Sequence, residues 1–268
     1  MKIGISSYTY TWAVGVKDFL PSNPLTVKDL FYKAESLNVN LVQFCDNLSL
    51  DFFSDSELDE LYHIAEKKGI SIQIGTKGID SENLLRYLHI AKKLKSNLVR
   101  TLTDTDTYKP DVQEIIKLLK KIEPYYRESN ISLAIENHDR LKTLELVSVI
   151  RGVNSPAVGI CLDTVNSFGS LEGPEVVIDR LLPYTINVHV KDFIIFRESH
   201  KMGFRIEGRP AGEGMLDIPL LVKNIKQLNK DLDLILELWT PFQNNLEETI
   251  KLEENWAKKS ILYLRGVI

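Results

Sequence analysis

The chain has 268 residues, 44% of them hydrophobic, enough for one large packed domain or two small ones. A net charge of -4 and a pI near 5.8 argue against nucleic acid or anionic lipid as partners and leave a small molecule. Only two cysteines, Cys45 and Cys161, are present, far apart and without metal-type spacing, which predicts no disulfide framework and a reducing, cytoplasmic setting.

The opening MKIGISSYTYTW turns polar too soon for the apolar region of a signal peptide. No apolar run reaches membrane-spanning length, so no membrane is expected either. From there, short apolar segments alternate with longer amphipathic ones. Strands are predicted at 2–6, 41–45, 71–75, 98–102, 131–136, 158–163, 186–192 and 232–238. Helices are predicted between and after them near 26–38, 55–68, 81–95, 111–129, 141–151, 174–182, 218–229 and 246–263. Thr26, Asp55 and Ser81 suit N-caps, and Pro110, Pro174 and Pro219 suit helix starts. This alternation over the whole chain, with no G-x-G-x-x-G or Walker sequence after any strand, predicts a (β/α)8 TIM barrel rather than a doubly wound sheet. No linker or composition shift divides the chain, so a single domain over 1–268 is expected, with a long loop at about 193–215.

Side chains alternate across a strand, so each strand has two faces to assign. In the fifth strand Ile131, Leu133 and Ile135 oppose Ser132, Ala134 and Glu136; in the sixth Val158, Ile160 and Leu162 oppose Gly159, Cys161 and Asp163. The seventh sets Ile186, Val188 and Val190 against Asn187, His189 and Lys191, and the eighth sets its leucines against Asp233, Ile235, Glu237 and Trp239. The aliphatic faces must pack on the helices. The mixed faces then point inward, and Glu136, Asp163, His189 and Glu237 meet at the C-terminal mouth, where barrels of this kind carry active sites.

Three carboxylates and an imidazole converging there would repel one another and lose solvation unless a cation stood among them. That donor set suits Mn²⁺ or Mg²⁺, with Co²⁺ or Zn²⁺ as alternatives. For any one acid, a helix cap or an ion pair with Lys191, Lys77 or Arg100 is the competing reading.

In its order and strand placement, the set Glu136, Asp163, His189 and Glu237 resembles the metal quartet of the xylose isomerase-like TIM-barrel superfamily. That group includes ketose 3-epimerases, hydroxypyruvate isomerases, inosose dehydratases and endonuclease IV. The resemblance implies a metal-dependent isomerase or epimerase acting on a sugar or sugar derivative through an enediolate. Glu136 and Glu237 would be both ligands and acid/base groups, while Asp163 and His189 would hold the ion. The segments ENHDR, GICLDTVNSFGSLEGP and HVKDF are also similar to 3-oxo-isoapionate decarboxylases, which makes a metal-dependent lyase the runner-up; an inosose-type dehydratase is a further alternative. A sugar-binding barrel without turnover is the reading from another class, disfavoured because binding alone does not need two opposed bases. A repair nuclease is disfavoured by the scarcity of His, five in all.

The expected partner is therefore a small carbohydrate or sugar acid, with homo-oligomerisation left open. Among candidate substrate contacts, ketose 3-epimerases carry a His three residues after the metal Asp, where this chain has Asn166. His138 faces either substrate or a loop partner. Lys191 shares the face of His189, positioned to pair with a ligand carboxylate or to protonate an intermediate. Arg209, ahead of a Gly-rich turn, resembles an epimerase substrate arginine. Arg197, with His200, Lys201 and Arg205 in the long loop, would favour an anion if that loop is a lid. Tyr8, Trp12 and Trp239 are candidates for an apolar wall.

Overall fold

Eight parallel strands close into a barrel in a computed structural model that describes residues 1–268. In chain order these are β1 (Ile3–Ser6), β2 (Leu41–Phe44), β3 (Ser71–Lys77), β4 (Leu98–Leu102), β5 (Ser132–Glu136), β6 (Val158–Asp163), β7 (Thr185–Val190) and, after an inserted hairpin, β10 (Leu234–Leu236). The hairpin strands are β8 (Asp192–Arg197) and β9 (Phe204–Arg209), paired antiparallel. The segment expected as a long loop is thus largely a two-stranded ribbon. Around the barrel the order is β1-β10-β7-β6-β5-β4-β3-β2, so β1 and β10 close the ring.

The outer helices follow a short turn α1 (Thr11–Val14): α2 (Val27–Ser36), α3 (Asp55–Lys68), α4 (Ser81–Lys93), α5 (Val112–Glu128), α6 (Thr143–Val153), α7 (Pro174–Leu181), α8 (Ile218–Gln227) and α9 (Leu246–Val267). Thr26 caps α2 as expected, its side chain accepting from the Asp29 N–H. For α3 and α4 the caps fall one residue earlier than expected. Ser54 and Asp80 accept the free N–H groups of Glu57 and Asn83, which leaves Asp55 and Ser81 as the first helical residues. Asp55 is still well placed against the positive end of its helix. No helix is long and apolar enough to cross a membrane.

The aliphatic strand faces and the inner helix faces form one continuous buried cluster between the two layers. A second, small cluster of Leu98, Ala134, Cys161 and Ile186 plugs the barrel interior. Ile186 was expected on the outer face. A register shift between β6 and β7, with Ile160 opposite Thr185 but Cys161 opposite Asn187, turns both Ile186 and Asn187 inward. Gly159 makes room for this: a Cβ there would lie 2.8 Å from the Ile186 side chain. From Asn187 onward the alternation resumes, so His189 and Lys191 keep the inward orientation read from the sequence.

Candidate metal and substrate site

Glu136 ends β5, Asp163 ends β6, His189 lies near the end of β7 and Glu237 follows β10. All four side chains are buried and converge on one nitrogen. His189 Nδ1 lies 3.2 Å from Glu136 Oε2, 3.3 Å from Glu237 Oε1 and 3.8 Å from Asp163 Oδ2. His189 Nδ1 is buried without a hydrogen-bond partner, and the buried Asp163 Oδ2 has only the Lys191 ammonium beside it. Leaving a buried polar atom unpaired is unfavourable by about 1–3 kcal/mol. An unpaired nitrogen of this kind among hard carboxylates fits a divalent cation, and Asp163, His189 and Glu237 lie close enough together to share one. A second group, Glu136, Cys161 and His189, shares His189 with the first and reaches one layer deeper through Cys161.

Two cations hold the carboxylates meanwhile. Arg100, inward on β4, donates Nε to Glu136 Oε2 and Nη1 to Asp46 Oδ1 at 2.9 Å. Lys191 Nζ sits 2.7 Å from Asp163 Oδ2 and 2.8 Å from Glu237 Oε2. The ion pairs with Arg100 and Lys191 and the convergence on His189 therefore coexist. The remaining oxygens are also engaged. Asn166 Nδ2 donates to Glu136 Oε1 at 2.8 Å, Ser6 Oγ to Glu237 Oε1 at 2.9 Å, and the Val165 and Asn166 N–H groups to Asp163 Oδ1.

Burial alone would raise the pKa of Glu136, but Arg100 and His189 outweigh it and hold the carboxyl well below its usual range. For Glu237, burial is likewise outweighed by His189 and Lys191. Burial also pushes against charge on His189 and Lys191, yet the surrounding carboxylates win, led by Glu237 for His189 and by Asp163 for Lys191, and both pKa values lie above the ordinary. The neighbours thus favour the charged forms of Glu136, Glu237, His189 and Lys191, whereas burial pushes the Asp163 carboxyl up.

Above the quartet opens a cavity of about 400 Å³. Arg100, Asn166, Lys191, Glu237 and His138 line its polar side, and Tyr8, Trp12, Leu102 and Trp239 its aromatic and apolar side. Trp12 is fixed from behind: its indole N–H donates to the Thr240 carbonyl at 2.8 Å, and its ring packs against Phe19 and Phe242. Glu253 of α9 accepts the backbone N–H groups of Trp12 and Ala13. The three aromatic residues singled out in the sequence thus do form a wall.

Arg197 and Arg209 do not line this cavity. Arg197 stacks on Phe204 on the exposed ribbon, 4.3 Å from the ring centroid. Arg209 Nη1 donates to Glu207 and to the Gly208 carbonyl. The Gly-rich turn after Arg209 wraps a carboxylate of the chain itself: Asp192 accepts from the N–H groups of Phe193, Gly212, Gly214 and Leu216. The root of the ribbon seats against the end of β10, where a Cβ on Gly208 would lie 2.1 Å from the Trp239 carbonyl. Strand parity left Arg100 unassigned, although the ion pair considered for it is present with Glu136, and it missed Ser6 altogether. Arg100 stands between Leu98 and Leu102 on a strand whose two faces are both largely apolar, and Ser6 reads as an ordinary strand end.

The sequence pattern described as "Xylose isomerase-like TIM barrel" matches residues 31–266. The 3-oxo-isoapionate decarboxylase of Pectobacterium atrosepticum is 33% identical over 264 residues, covering 98% of this chain and 95% of that protein. An uncharacterised protein of Escherichia coli is 24% identical over 69% of this chain and 57% of its own length. Among solved structures, a D-psicose 3-epimerase from Clostridium cellulolyticum superposes with a TM-score of 0.74 at 14% identity, covering 100% of this chain and 99% of that one. A xylose isomerase-like TIM-barrel protein from Mycobacterium smegmatis in complex with magnesium gives 0.71 at 14% identity, with 97% of both chains covered. At that level of identity the structures speak for the fold alone.

Proposed function

This chain belongs to the xylose isomerase-like TIM-barrel family, and from that premise we propose that it is a metal-dependent lyase that decarboxylates a 3-oxo sugar acid. The coarser frame is a metal-binding barrel enzyme acting on a sugar or sugar acid. Within it, the runner-up lyase reading takes precedence over the isomerase or epimerase expected first.

The observation that carries this choice is the engagement of the four oxygens of Glu136 and Glu237 by donors on Arg100, Asn166, Ser6 and Lys191. An epimerase must take a proton from carbon and return one from the other side, which calls for two carboxyl groups free to exchange protons. Here the oxygens of both glutamates are held by donors, and the neighbouring charges lower both pKa values. Loss of CO₂ from a 3-oxo acid needs no such abstraction. The C–C bond breaks, its electron pair moves onto the neighbouring ketone as an enolate, and one proton must then reach the carbon that lost CO₂. The likeness to a decarboxylase along nearly the whole chain supports the same choice.

Glu136, Asp163, His189 and Glu237 would hold the ion, which supplies positive charge for the developing enolate oxygen. Arg100 and Lys191 line the cavity and add cationic surface for a substrate carboxylate. Asn166 keeps Glu136 oriented, and Trp12 and Trp239 shield the reacting carbons from water. Lys191, which lines the cavity, or a neighbouring glutamate would return the proton in the final step. The test is CO₂ release from 3-oxo-isoapionate by chelator-stripped protein before and after adding Mn²⁺ or Mg²⁺. Release that appears only with the metal is expected, and no release with either metal, or with Co²⁺ or Zn²⁺, would refute the reading.

A further inference from the structure

His189 Nε2 lies 2.7 Å from Gln43 Oε1, and behind Gln43 a run of buried amides leads through the barrel to the opposite end. Gln43 Nε2 donates to Gln73 Oε1 and to Asn187 Oδ1, each at 3.1 Å. Asn187 Nδ2 donates to the same Gln73 oxygen at 3.1 Å, and Gln73 Nε2 donates to Asp233 Oδ2 at 3.0 Å. Gln43, Gln73, Asn187 and His189 are all within 3% of complete burial. Asp233 and Glu237 flank β10 at its two ends. Asp233 opens into a cavity at the N-terminal end of the barrel, shared with Lys2 and Gln73, and its other oxygen accepts the Lys2 N–H.

We infer that Asp233 is a positioning residue that sets the tautomer of His189 from the far end of the barrel, through the oriented amides of Gln73 and Gln43. The inference rests on the reading of His189 as a metal ligand. A carboxylate has no hydrogen to give, so Gln73 turns its NH₂ to Asp233 and its oxygen inward. That oxygen draws one hydrogen of the Gln43 amide, and Asn187 Oδ1 takes the other. Gln43 then has only its oxygen left for His189, so the ring must carry its hydrogen on Nε2. In the neutral ring Nδ1 is then a bare lone pair, aimed at Glu136, Asp163 and Glu237. Fixing a ligand histidine through its second nitrogen is a common way of tuning a metal site. Here the fixed end is a carboxylate that never touches the site.

The test is nitrogen NMR of ¹⁵N-histidine-labelled, metal-free protein, recorded above the pH at which the His189 ring becomes neutral, together with a Mn²⁺ titration followed by EPR. The wild-type ring is expected to hold its hydrogen on Nε2. Asp233→Asn, which can present either an oxygen or an NH₂ to Gln73, is expected to give a tautomer mixture and a Mn²⁺ Kd weaker by about tenfold. Gln43→Met, which removes the acceptor outright, should do the same with an unchanged circular dichroism spectrum. A wild-type ring carrying its hydrogen on Nδ1 would overturn the inference. So would variants whose ring signals stay put, or whose Kd stays within about twofold after the ring signals move. Neither readout uses substrate, so failure to release CO₂ would count against the proposed reaction and leave this inference standing.

Discussion

Strands β5, β6, β7 and β10 bring three carboxylates and an imidazole to the barrel mouth, whereas β1 to β4 bring Ser6, Gln43, Gln73 and Arg100. The first set converges on one point and contains a buried nitrogen without a partner; the second contains groups that hold the first in place, joined from the first half by Asn166 and Lys191. One half of the barrel offers the donors that would suit an ion, and the other adds hydrogen bonds and a guanidinium that make such a cluster tolerable in a protein interior. A division of this kind separates loss of metal from loss of fold, and mutations on the two sides should fail differently.

The largest effect is expected on the ligand side. Glu237→Gln removes a ligand charge while keeping the shape, and should lower CO₂ release by about 10³-fold or more and weaken Mn²⁺ by more than the roughly 10–100-fold typical of outer partners. Near-normal turnover would remove Glu237 from the site. On the supporting side, Arg100→Met leaves Glu136 buried without its guanidinium and should destabilise the metal-free protein by about 3–5 kcal/mol in urea unfolding. Added Mn²⁺ should recover part of that loss, and a variant as stable as wild type without metal would erase the distinction between the halves.

Glu253 gives the supporting side a pH signature. Burial is the main cause that pushes its carboxyl up to about 8, against the pull of the Trp12 and Ala13 N–H groups. A carboxyl that binds its proton more tightly folded than unfolded lowers stability as pH climbs from its ordinary value near 4.5 toward 8. Glu253→Gln should flatten that slope by up to about 1.4 kcal/mol per pH unit, measured as unfolding free energy at pH 5, 6.5 and 8. Parallel pH curves for the two proteins would place the shift elsewhere. The smallest effect is expected outside both halves: replacing Arg197 and Arg209 together by Met should leave KM for an acidic substrate within about twofold, because neither lines the cavity. A large rise in KM would bring the ribbon back as a lid.

The convergence of Glu136, Asp163, His189 and Glu237 was legible because strand parity is a strong constraint where one face is aliphatic: each breaks a small or apolar inner face near the C-terminal end of its strand. The supporting half was not, because Leu98 and Leu102 flank Arg100 on its own face, and Gln43 and Gln73 read as ordinary strand polar residues. The bulge at Ile186 was invisible for a related reason, since an isoleucine suits either face and only Gly159 opposite it allows the inward turn. The ribbon was hidden by its basic content, which drew attention to charge rather than to the alternation in FIIFR and FRIEG. The Gly-rich turn that made Arg209 resemble a substrate arginine serves Asp192 instead.

Proton NMR of turnover in D₂O tests the central claim most directly, with the Mg²⁺-loaded protein offered 3-oxo-isoapionate and D-psicose in separate samples. The expected result is CO₂ release from the acid, with one deuteron on the carbon that lost it, and no exchange of the psicose C3 proton. Exchange of that proton without CO₂ release from the acid would contradict the account and restore the epimerase.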